Sequence, residues 1–114
     1  MRKAKNNLPI RLIVVAFLLI IVAVLVWGNY RFASANPGGN DFLVHWVGSK
    51  NFVYEGVSPY SEETALEIQT MVYGRAAREG EHELRVAYPL YSFFLFLPFG
   101  LIKNYFIARA VWMT

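Results

Sequence analysis

The chain has 114 residues, 56% of them hydrophobic, no cysteine and a formal net charge of +3. Without cysteine it has no disulfide, thiolate metal site or cysteine nucleophile. Its long apolar runs place it among membrane proteins, and its basic residues flank those runs rather than forming one patch, which argues against a nucleic-acid partner.

Charge is unevenly spread. All eight acidic residues lie between Asp41 and Glu83, while the first eleven residues carry Arg2, Lys3, Lys5 and Arg11 and no acid. Residues 1–11 therefore read as a basic leader on the cytoplasmic side. Leu12–Trp27 follows without charge or proline, and with the residues back to Leu8 it makes 20 residues. As a helix these extend about 30 Å, the thickness of the hydrocarbon core. The first span is thus expected over 12–28, with Arg11 snorkelling at one interface and Trp27 and Tyr30 at the other. A cleaved signal peptide is the competing reading, and Ala33-Ser34-Ala35 offers a cleavage site. The apolar run is longer than a signal core and favours the span.

Residues 29–86 are expected to form an extracytoplasmic loop. Asn36-Pro37-Gly38-Gly39-Asn40 is a turn by composition. Asp41 is then expected to cap a helix reaching about Tyr54. On that helix Phe42, Leu43, Trp46, Val47 and Val53 share a broad apolar face, and Asp41, His45 and Ser49 follow a neighbouring line. This pattern predicts an amphipathic helix lying on the membrane, anchored by Phe42, Trp46, Phe52 and Tyr54. Gly56 ends it, Ser61 caps a second helix with Glu62 and Glu63 in its first turn, and that helix fades near Gly80. Glu79–Arg85 reads as exposed loop.

Ala87–Ile102 is the second apolar run and the expected second span, 87–102, with Pro89 in its first turn and Pro98 kinking it. Lys103-Asn104 breaks the run. Tyr105–Met113 starts a third apolar segment over 105–114, too short to span, since crossing takes about 20 residues. The fold expected is all-α and integral to the membrane: two transmembrane helices and the truncated start of a third. No phosphate loop or metal-ligand spacing is present. Asp41 and His45 at i, i+4 supply two ligands where a metal needs more, so no metal and no cofactor is expected.

Gly39-x-Asp41-Phe42, Trp46, Gly56-x-x-Pro59-Tyr60 and Tyr88-Pro89 opening a Phe/Leu-rich segment with Pro98 together resemble the start of the polytopic GT-C glycosyltransferases. The nearest likeness is to glycosyltransferase family eighty-seven, which includes polyprenyl-phosphate-mannose-dependent mannosyltransferases. The resemblance covers Asn36–Trp112 and departs at His45, where tyrosine is frequent, and at Leu90, where a second proline is usual. It implies a multi-pass protein of the cell membrane that takes a hexosyl group, mannosyl in the nearest relatives, from a polyprenyl-phosphate-linked sugar donor. The group passes to a lipid or glycan acceptor on the extracytoplasmic face. It implies Asp41 as catalytic base, with His45, Lys50, Tyr60, Arg75, Arg78 and Tyr88 as substrate-binding candidates. Because that family's chain is several times longer, this one is expected to be an N-terminal fragment, inactive alone. The alternative is a small two-span scaffold or subunit without catalysis.

Overall fold

A computed structural model describes residues 7–36 and 38–114, so most of the basic leader and Pro37 of the first turn lie outside the described residues. Among them the chain is all-helical, with five helices and no strand. One helix, α1 (Leu8–Ala35), is long and apolar enough to cross a membrane. Its 28 residues extend about 42 Å, with Pro9 in the first turn where its missing N–H is harmless. It thus runs on past the expected end of the span at residue 28. Leucine, isoleucine and valine face outward around its whole girth, and Ala33 is its only buried residue.

The next helix, α2 (Asn40–Glu55), is the centre of the fold. Its N-cap is Gly39, not Asp41: the turn brings the chain in with Gly39 at φ +72°, and Asp41 becomes the second helical residue. A carboxylate there still meets the positive end of the helix dipole. Gly56 closes the helix as expected. Phe42 through Ser49 are buried without a break, so the expected membrane-surface helix is instead a core helix. Phe42 sits among Phe96, Phe99, Tyr105 and Trp112, with ring centroids 5.5 to 6.4 Å away. Trp46 is 3% exposed and its Nε1 donates to the Ile102 carbonyl at 2.8 Å. Neither anchors to lipid. Of the expected anchors, Phe52 and Tyr54 remain exposed.

Ser61 caps α3 (Glu62–Tyr73): its Oγ accepts from the Thr64 N–H at 3.2 Å. The helix stops at Gly74, earlier than expected. A polar seam ties it to α2, where Asn51 Nδ2 donates to Glu67 Oε2 at 2.6 Å and Lys50 Nζ to Glu67 Oε1 at 2.8 Å. Gln69 holds the loop that follows, donating to the Glu83 carbonyl at 2.7 Å and accepting from the Ala77 N–H at 3.0 Å.

The second apolar run departs most from expectation. It is not one helix over 87–102 but α4 (Leu90–Gly100), 11 residues long, followed after a four-residue corner by α5 (Tyr105–Met113), bent from it by 114°. Pro98 ends α4, and the last turn tightens into Leu101 N–H to Pro98 and Ile102 N–H to Phe99 carbonyl bonds. At about 16 Å, α4 is half the thickness of a hydrocarbon core. It packs on α2 backbone to backbone: a Cβ on Gly100 would stand 2.6 Å from Ser49 Cβ and 2.8 Å from the Lys50 nitrogen. Among the helices, α1 packs against α5 alone.

Candidate functional site

Asp41 faces a cleft of about 220 Å³ lined by Asn40, Asp41, Val44, His82, Leu84, Arg85, Ala87 and Tyr88. The first turn of α2 supplies the carboxylate and the 82–88 segment supplies the opposite wall. Asp41 is exposed and its carboxylate makes no hydrogen bond or ion pair among the described residues. A carboxylate in that state is open to a ligand that offers a proton or a hydroxyl.

His45, one turn along α2, is buried next to the cleft and does not line it. Its ring stacks on Phe96 at 3.9 Å and against Tyr88 at 4.5 Å, and the residue is 8% exposed. Burial pushes its imidazole below the ordinary value of 6.5, with the Asp41 charge pulling the other way. The neutral form is thereby favoured at neutral pH. Tyr88 reaches the cleft through its ring, while its carbonyl accepts from the Tyr60 hydroxyl at 2.7 Å. Tyr60 therefore fixes the entry to α4 from behind the cleft.

Asp41, His45 and Tyr88 thus come together, with Tyr60 one bond behind. The three expected cations do not join them. Lys50 is ion-paired with Glu67 and lies over the Trp46 ring, nine residues along α2, about 13 Å from Asp41. Arg75 is paired with Glu81 at 2.9 Å. Arg78 lines an adjoining groove that shares Arg85 with the cleft, but four carboxylates there, Glu62, Glu79, Glu81 and Glu83, outnumber the two arginines and disfavour phosphate.

Two arginines unremarked in the sequence stand closer. Arg85 lines the Asp41 cleft, but it grips Glu62 through two bonds of 2.7 Å and also Glu83. These carboxylates hold its guanidinium protonated, and Arg85 holds the Glu62 carboxyl below its ordinary value. The trio carries −1, so this wall is not electropositive. Arg109 on α5 donates to the Asn36 carbonyl at 2.9 Å and has no ion-pair partner among the described residues. It lines a neighbouring cleft with Gly38, Asn40 and Tyr105, and Asn40 belongs to both clefts. The signal for Arg109 was its position as the one charge inside an apolar run. For Arg85 the sequence offered only a charged stretch. Leu84, beside it, holds φ +50°, a conformation uncommon for a branched residue and one that often marks functional loops. Among the described residues no group of three or more His, Asp or Glu side chains is placed to hold a metal.

Comparison with protein-family models, with curated proteins and with solved structures found no match for this chain.

Proposed function

We propose that the chain is part of a membrane glycosyltransferase of GT-C type, transferring a hexosyl group from a polyprenyl-phosphate sugar to a lipid or glycan acceptor on the extracytoplasmic face. The reading rests on the sequence resemblance, and one structural observation carries it further. Asp41 is an exposed, unbonded carboxylate beside the outer end of an apolar 28-residue helix. A sugar on a lipid phosphate is presented at that depth.

In an inverting transfer, Asp41 accepts the proton of the acceptor hydroxyl as its oxygen attacks the anomeric carbon, and the lipid phosphate departs with the bonding pair. Arg109 is the cation best placed to meet that phosphate, since no carboxylate among the described residues neutralises it and it stands at the outer end of α1. The exposed Tyr88 ring offers a platform for the sugar, with His45 packed against it. The basic leader sets the N-terminus in the cytoplasm and the acidic 29–86 segment outside. Incubation of the full-length protein in vesicles with a labelled polyprenyl-phosphate hexose and membrane-derived acceptors tests the reading. Label moving to a lipid or glycan product supports it. No transfer from mannosyl, glucosyl or galactosyl donors overturns it in favour of a non-catalytic subunit.

A further inference from the structure

The apolar run after the loop leaves and returns on one side of the molecule. Three contacts fix this. Asn29 Nδ2 donates to Thr114 Oγ1 at 3.1 Å, Arg109 Nη1 to the Asn36 carbonyl at 2.9 Å, and the Tyr105 hydroxyl to the Gly38 and Gly39 carbonyls at 3.1 and 3.2 Å. Residue numbers rise along α1 as they fall along α5, so the two helices are antiparallel neighbours. Tyr105, the start of α5, is level with the end of α1. The corner before it is fastened to α2: the Leu101 carbonyl accepts from the Tyr54 hydroxyl at 2.6 Å, the Ile102 carbonyl from Trp46, and Lys103 Nζ stands 4.7 Å over the Tyr54 ring. A membrane crossing over 87–102 would leave Lys103 about 30 Å from the loop. It touches the loop instead.

The bend makes α4 a surface element. With α5 along the membrane normal, a bend of 114° leaves α4 about 24° from the membrane plane. Its inner face, Phe93, Phe96, Phe99 and Gly100, packs toward α2 or is partly buried. Its outer face is apolar and bare: Leu90, Tyr91, Phe94 and Leu95 are 59, 77, 68 and 62% exposed. Four such side chains on an 11-residue helix are a poor surface for water.

We propose that α4 lies in the outer membrane interface with Leu90, Tyr91, Phe94 and Leu95 against lipid, and that α5 begins the inward second span, paired with α1. The occupant is lipid because α4 is joined through the 101–104 corner to α5, which packs along α1, the helix among those described that is long and apolar enough to cross a bilayer, and Tyr91 suits the headgroup boundary. This does not rest on the catalytic reading.

Single cysteines in the full-length protein, on a background freed of other accessible cysteines, test it in two arms. Lys103→Cys, and Leu101→Cys should the first insert poorly, ought to react with an impermeant maleimide from the same side as Glu63→Cys in the loop. Labelling of Lys103→Cys and Leu101→Cys only from the opposite side, with Glu63→Cys unchanged, overturns the topology. A spin label on Tyr91→Cys should be accessible to lipid-soluble oxygen at least fivefold more than to an aqueous nickel complex. Equal access, or shielding from both by a protein partner, overturns the lipid contact.

Discussion

Gly39 answers two demands at once. Its φ of +72° starts α2, and a Cβ there would meet Arg109 Nε at 2.8 Å and the Tyr105 hydroxyl at 3.2 Å. Gly39→Ala is expected to destabilise by roughly 1–2 kcal/mol from the backbone alone. It would also displace Arg109, and a thermal melt in detergent reads the loss. His45 gives a pH signature. Its folded value lies below the ordinary 6.5, so the unfolded chain binds the proton first and stability falls as pH drops below about that value. Glu62, held low by Arg85, acts in the same direction but only below its ordinary 4.5. Between pH 7 and 5 the melting temperature of wild type should therefore fall more than that of His45→Phe, which keeps the ring stack and cannot titrate. Equal slopes would contradict the burial account of His45. The sequence shows Asp41 and its line to His45, but it hides Arg85, because the two carboxylates that grip it come from residues 62 and 83. Glu83 is a near neighbour in sequence, but no periodicity joins Arg85 to Glu62, 23 residues away.

Helix ends set by local chemistry were legible: Ser61 caps α3 and Gly56 ends α2, each for reasons carried within four residues. The N-cap of α2 was misread because Asp is a common cap, yet the double-glycine turn had already placed Gly39 there. Reading α2 as a surface helix failed for a different reason. Its second face has too little apolar character for a core, but α4 covers it with Phe96 and aromatic stacking buries His45. Tertiary contact made the difference. Gly100 is the tightest point of that contact, with Ser49 backbone atoms 2.7 Å from where a Cβ would sit. Gly100→Ala must push α4 off α2, an overpacking loss of about 1–3 kcal/mol. The same variant should weaken the Trp46 bond to the Ile102 carbonyl, seen as a red-shifted, more quenchable tryptophan emission against a Trp27→Phe, Trp112→Phe background. An unshifted spectrum would contradict the close α2–α4 packing.

At the scale of the molecule, the long apolar helix was plain from composition, since 20 uncharged or snorkelling residues leave little else for the chain to do in lipid. The second apolar run was opaque. Sixteen residues with two prolines fit a short span by hydropathy, and only the corner tied to Tyr54 and Trp46 reveals the return. That return keeps the Asp41 cleft, α4 and the C-terminal end of α1 on one face, where the proposed function would bring a lipid-borne substrate to the carboxylate. The central claim is that Asp41 is the base. In the full-length protein, Asp41→Asn keeps the shape of the side chain and removes its charge, so insertion and melting should hold while hexosyl transfer falls about 10²- to 10⁴-fold. Glu55→Gln, at the far end of α2, should retain transfer. Near wild-type transfer by Asp41→Asn, or its retention there with loss in Glu55→Gln, would contradict the account.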